Sequence, residues 1–364
     1  MKNSYKNKFY SVPLACTGLG LGIGGLGNTY ISLFSLNGIP DAKFISIFNY
    51  VFTIMFLLLI LFKYVLHPRL LKNDINNALS VSLLPTFSMS LMLVAGFIGM
   101  WDRDIDKINP CQISAAIIMS IAILIQFILI SFFVRSIIIN NFKNKENIYG
   151  SYFVPTVGLL TSCTVSNNVL LLPNVFFQII WYIGYAIFIF SLPIITYIIL
   201  FKNKSIGVDK YPTIAIWFAP ANLSCAGFLH TFLLASNRNT SFYPSLFLNS
   251  IAVITTMIGF ATTILLYFFI FRVFIYRWKN NNKNFSPILC SLSFPCAIGV
   301  TSILFAARAL KAIESQSSLF ISDLVWIFGV IAIVFCIITT LVLLYLLINM
   351  LIHLYRLFFL KNNQ

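Results

Sequence analysis

A proline inside a helix has no N–H to donate and crowds the carbonyl four residues back. The cost is about 3 kcal/mol in an ordinary helix interior. This chain carries five such prolines, each within an apolar stretch of helical length and each flanked by small residues. They lie in Ser11-Val12-Pro13-Leu14-Ala15, Leu84-Pro85-Thr86, Val154-Pro155-Thr156, Ala219-Pro220-Ala221 and Phe294-Pro295-Cys296-Ala297. Successive steps of 72, 70, 65 and 75 residues give the chain the form of five copies of one two-helix unit. In hydrocarbon, a break of this kind survives only where protein or a water-filled cavity covers the freed backbone groups. Five breaks at corresponding places therefore predict five helices around a central path.

Composition sets the medium. Apolar residues make up 59% of the chain, charged residues 9%, and the mean hydropathy is +0.93. Runs longer than the roughly 20 residues needed to cross a bilayer recur from end to end. We place ten spans at 10–30, 42–65, 79–100, 112–139, 150–169, 173–200, 211–232, 245–274, 286–309 and 324–352, within one membrane domain covering 1–364. The first span follows a basic start, but its glycine-rich centre and the absence of a small-x-small site argue against a cleavable signal peptide.

The net charge of +15 is confined to one side. The face holding both termini and segments 66–78, 140–149, 201–210 and 275–285 carries 18 of the 24 Lys and Arg against three acids. Lys2, Lys6, Lys8, Lys63, Arg69, Lys72, Lys143, Lys145, Lys202, Lys204, Arg277 and Lys283 are among these bases. The opposite face has six bases and six acids. That asymmetry follows the positive-inside rule and places both termini in the cytoplasm of a cell with the protein in its inner or plasma membrane. The basic segments are thus topology signals, and no nucleic-acid partner is expected. The seven cysteines lack metal-ligand spacing, so neither a metal nor another cofactor is implied.

Odd and even spans differ in character. Even ones, such as 51–63 and 117–134, are bulky and plain, fitting an outer layer that faces lipid or other helices. Odd ones carry the prolines together with small and hydroxylated residues: six glycines between Gly18 and Gly27, Thr161-Ser162-Cys163-Thr164, and Asn222-Leu223-Ser224-Cys225. Such residues allow close helix approach and also leave room for a channel; for the glycines of the first span both readings stand. Pro85, Pro155, Pro220 and Pro295 lie 9 to 12 residues beyond the nearest inner charge. At 1.5 Å per residue this is roughly 13–18 Å, near the middle of the hydrocarbon core. Pro13 is shallower.

No Asp, Glu, Lys or Arg falls in the central part of any span. Cation paths ordinarily show acidic rings, and proton-coupled carriers an intramembrane Asp, Glu or His. His67, His230 and His353 lie near span ends, as interfacial residues do. Half-helices begun by the prolines expose unpaired N–H groups that favour anions. No His-Glu-x-x-His motif, paired carboxylates or Ser–His arrangement suggests an enzyme. Phe294, directly before Pro295, is either a packing residue or a ring that a kink swings into the path as a hydrophobic gate.

Residues 12–30, 217–228 (Trp-Phe-Ala-Pro-Ala-Asn-Leu-Ser-Cys-Ala-Gly-Phe) and 291–299 (Ser-Leu-Ser-Phe-Pro-Cys-Ala-Ile-Gly) resemble the tellurite-resistance/dicarboxylate transporter family. That family includes TehA-type proteins, plant slow anion channels, fungal malate permeases and sulfite exporters. The resemblance implies an all-α polytopic fold of ten transmembrane helices, arranged as five hairpins around a central pore whose inner helices are kinked by proline. It also implies a homotrimer with one pore per protomer. It makes Phe294 the pore gate and the segments of Pro13, Pro85, Pro155, Pro220 and Pro295 the pore lining. Pro295 departs from the family, where glycine often follows the gating phenylalanine. The long cytoplasmic tails of the plant channels are lacking, so kinase-controlled opening is not expected. The function expected is passive transport of small anions; the alternative is a coupled carrier or exporter of a malate-like C4-dicarboxylate or of sulfite.

Overall fold

The computed structural model describes residues 8–38, 43–101, 109–137, 149–202, 208–234, 246–279, 285–314 and 319–359. Among these the fold is entirely helical, with nine segments long and apolar enough to cross a membrane. The topology signals at Lys2, Lys6, Lys143, Lys145, Lys204 and Lys283 lie outside the described residues.

The fifth span is not the single helix expected over 150–169. It consists of a 3-10 turn at Gly150–Tyr152, α-helical pieces at Phe153–Val157 and Leu160–Cys163, and a second 3-10 turn at Ser166–Asn168. Its composition accounts for this. Pro155 withholds an N–H, while Thr156, Ser162, Thr164 and Ser166 each donate to the carbonyl three residues back. Local side-chain bonds of this type compete with the regular helical ladder.

Two layers are evident. In the first, third, seventh and ninth spans, 67%, 78%, 89% and 89% of the apolar window is buried. In the second, fourth, sixth, eighth and tenth the share is only 39%, 33%, 28%, 28% and 22%. Each odd span packs on the even span that follows it. Odd spans also pack on one another in chain order, and the ninth returns to the first.

Every one of these five junctions between odd spans is joined by a side-chain hydrogen bond. Thr17 and Thr86 meet at 2.6 Å, Ser82 and Ser151 at 2.6 Å, and Ser166 and Thr231 at 3.3 Å. Ser302 donates to Asn222 Oδ1 at 2.7 Å, and Thr29 meets Thr301 at 2.8 Å. Between membrane helices such bonds and close van der Waals packing replace the hydrophobic drive that operates in water.

The glycines of the first span, Ala15–Leu36, resolve largely into packing. A Cβ on Gly20, Gly24 or Gly27 would press on Phe56, Thr53 or Tyr50 of the second span. One on Gly22 or Gly25 would press on Ser293 or Ala297 of the ninth. Gly18 alone of the six has no neighbour nearer than 4.0 Å.

Candidate functional site

The five prolines occupy equivalent places. Pro85 and Pro220 stand in the first turn of the α-helical pieces Pro85–Gly99 and Ala219–Phe228, as does Pro295 in Ser293–Glu314. Pro155 is within Phe153–Val157, and Pro13 is two residues before Ala15–Leu36. The first turn of a helix has no use for the missing N–H, which is why proline is tolerated there. The 3-10 segments Val208–Phe218 and Pro287–Leu292 precede the breaks of the seventh and ninth spans.

Outer spans supply partners to the backbone at these breaks. The Lys63 ammonium, 7% exposed, donates to the Val12 carbonyl at 2.8 Å. Gln126, fully buried, donates to the Pro155 carbonyl at 3.4 Å and accepts from Ser88 at 2.5 Å. One turn beyond Pro220, Trp181 Nε1 donates to the Ser224 carbonyl at 3.0 Å. The first of these gives Lys63 a structural task beyond the topological one read from its charge.

Two cavities occupy opposite ends of the ring, and every odd span contributes to the wall of each. The one at the beginning of the odd spans has a volume of about 30 Å³, room for a water or two. Its wall includes Gly18, Thr86, Val154, Ile216, Ser291 and Phe294. It is chiefly apolar, and the Ser291 hydroxyl in it has no hydrogen-bond partner. Phe294 is 8% exposed and borders this space. The wall of this narrow cavity includes Leu14, Thr86, Val154 and Phe294, the chain neighbours of Pro13, Pro85, Pro155 and Pro295, whereas none of the five prolines itself lines either cavity.

The second cavity, about 270 Å³, lies where the odd spans end. Its wall includes Asn28, Thr164, Asn167, His230 and Arg308, together with Lys43 from the start of the second span. Among the described residues its wall contains no acid. His230 sits in a π-helical turn, Leu229–Leu233, that follows the Ala219–Phe228 helix. Its ring stacks on Phe305 with centroids 5.0 Å apart, and its Nδ1 lies 3.3 Å from Ser166 Oγ. Asn167 and Asn174 donate to the His230 and Thr231 carbonyls of that turn. No residue lines both cavities. Along the ninth span, Phe294 and Phe305 are separated by roughly 16 Å at helical rise.

Sequence reasoning placed His230 at an interface and missed Lys43 and Arg308. The structure brings all three to one cavity. A usable signal was present: Arg308 is the one base within the span expected at 286–309, one residue from its end.

A bundle of apolar helices with an inner layer of broken, hydroxyl-joined spans and a basic cavity at one end defines a multi-pass membrane protein of anion-handling type. The chain belongs to the SLAC1 family, described as voltage-dependent anion channel, which it matches over residues 11–351. This is a transport family and not an enzyme family, in line with the reading of the sequence. None of the curated proteins compared with the chain matches it.

Proposed function

We propose that the five odd spans enclose a passive path for small anions, closed at Phe294. In this reading the ten spans form five hairpins around the path, with both termini cytoplasmic in the inner or plasma membrane. The observation that carries the proposal is the pair of cavities: each is walled by all five odd spans, and the charged side chains in the wall of the wide one, Lys43 and Arg308, are basic. A path of this kind attracts anions electrostatically and rejects cations. Family membership supports anions as the cargo. The absence of Asp and Glu from both walls, among the described residues, favours passive flow over proton-coupled carriage of a dicarboxylate or sulfite.

Phe294 borders the narrow cavity and stands between it and the wide one along the ninth span. Removal of its ring extends the narrow cavity toward the wide one. Three copies assemble through the exposed faces of the even spans, where Leu124, Phe190, Phe268 and Leu341 present more than half of their surface; the mass of the purified protein in detergent tests this. The gate is tested by iodide influx into liposomes loaded with a quenchable dye. Phe294→Ala is expected to admit iodide at least tenfold faster than wild type. Equal rates, with equal protein inserted, would remove Phe294 from the gate.

A further inference from the structure

A short helix, Pro68–Asn76, separates the second span from the third. Pro68 stands in its first turn, where the missing N–H goes unused. Its residues divide by face. Pro68, Leu71, Lys72 and Ile75 recur at helical spacing and line a groove of about 460 Å³ against the end of the fourth span, Pro110–Ser136. That span contributes Phe132 and, one turn nearer its end, Arg135. Asp74 is outside this wall and accepts from the Tyr64 hydroxyl at 2.9 Å. Lys72 and Arg135 are therefore the charged groups of the groove, and both are exposed. Among the described residues neither is held by a hydrogen bond or an ion pair. Two bases brought to one recess without an acid create a positive field that a single anion relieves.

The position of the groove selects the anion. Phe132 is deeper along the fourth span than Arg135 by about 4.5 Å at helical rise. The groove thus has an apolar floor of Leu71, Ile75 and Phe132 beneath a basic rim, the order in which a lipid presents its chains and its phosphate. We propose that it binds the headgroup of an anionic phospholipid, such as phosphatidylglycerol, from the leaflet on the side of the termini. The phosphodiester oxygens lie between Lys72 and Arg135, whose guanidinium offers parallel donors to two of them. The first carbons of the acyl chains cover the floor. Basic recesses between helices at a membrane surface suit acidic headgroups in this way. A choline lipid has the same phosphate but brings a third positive charge to the rim. Free phosphate satisfies the rim and leaves the floor bare. The short helix leads directly to Asn77, whose side chain accepts from the Leu79 and Ser80 N–H groups and so caps the start of the third span. A bound headgroup therefore anchors the entry of an inner span.

This binding holds whether or not ions cross the ring, and its test measures no flux. The purified full chain is heated in dodecyl maltoside micelles doped with rising mole fractions of dioleoyl-phosphatidylglycerol or dioleoyl-phosphatidylcholine. A third series uses glycerol phosphate, the same phosphate without chains. Any ligand that binds the folded state raises the melting temperature with its concentration. Phosphatidylglycerol is expected to act at a lower mole fraction than phosphatidylcholine, and glycerol phosphate to have no effect in the same range. Each base near the surface contributes about fivefold to affinity for an anionic lipid. Lys72→Gln combined with Arg135→Gln is therefore expected to raise the half-effective mole fraction of phosphatidylglycerol about 25-fold. Either change alone is expected to raise it about fivefold, and Arg135→Lys to keep most of the affinity. Lys279→Gln combined with Arg356→Gln removes two exposed bases of the same face outside the groove and is expected to leave the value unchanged. An equal loss in both pairs would overturn the groove in favour of a diffuse basic face. Stabilisation by glycerol phosphate equal to that by phosphatidylglycerol would overturn the lipid as its occupant. Equal action of the two lipids on wild type would overturn the inference outright, even if no variant folded.

Discussion

Two glycines one helical turn apart should respond oppositely to the same methyl group. A Cβ on Gly22 would lie 2.5 Å from Ser293 Cβ and 2.7 Å from the Ser293 backbone carbon. Ordinary carbon contacts are about 3.5–4.0 Å, so Gly22→Ala must push the first and ninth spans apart by roughly 1 Å. Overpacking of this degree costs about 1–3 kcal/mol. The displacement also stretches the 2.8 Å bond from the Ser293 hydroxyl to the Gly18 carbonyl, adding about 0.5–1.5 kcal/mol. On Gly18 the nearest atom to a new Cβ is the Cys290 carbonyl oxygen at 4.0 Å, so no displacement is needed. The propensity gain from Gly to Ala is common to both sites and cancels in their difference. Gly22→Ala is therefore expected to be less stable than Gly18→Ala by about 1.5–4.5 kcal/mol. Reversible unfolding in mixed micelles by a steric-trap or denaturant method measures the difference. Because Phe294 follows Ser293, Gly22→Ala is also expected to alter basal anion flux. Equal stability of the two variants would refute the close approach of the first and ninth spans.

Gln126→Leu keeps the volume of a fully buried side chain but removes its bonds to Ser88 and to the Pro155 carbonyl. It should cost about 1–3 kcal/mol and speed amide exchange in the fifth span more than in the third; exchange unchanged in the fifth span would deny Gln126 its supporting role. Asn222 Oδ1 accepts from Thr263 of the eighth span and Ser302 of the ninth. Asn222→Leu should lower stability by about 1–3 kcal/mol, moderated because each hydroxyl has a carbonyl of its own helix, Gly259 or Gly299, within reach as an alternative acceptor. A double-mutant cycle with Ser302→Ala checks this, and strict additivity would count against the bond.

The repeat of proline every 65 to 75 residues was enough to separate inner spans from outer ones. It marks a backbone cost that only a protein-lined position tolerates, and burial in the structure follows that division. The glycines of the first span were not decipherable in the same way. Composition cannot give the direction in which a residue faces, and the packing of Gly20, Gly22, Gly24, Gly25 and Gly27 emerges only with their neighbours in place. The fifth span was read as one helix because its apolar length was counted. The hydroxyls of Thr156, Ser162, Thr164 and Ser166 already indicated a backbone with competing local partners. Lys43 and Arg308 escaped notice for an arithmetic reason. They belong to a face whose six bases and six acids sum to zero, and a sum conceals which charges converge on a cavity.

The most direct test of a Phe294-gated anion path is the reversal potential of Phe294→Ala in a planar bilayer under a tenfold sodium chloride gradient. A purely anion-selective path shifts the zero-current voltage by about 59 mV with the sign of chloride movement. The account expects a shift close to that value in the variant, with little current in wild type. A reversal potential near zero, or one of the opposite sign, would contradict it.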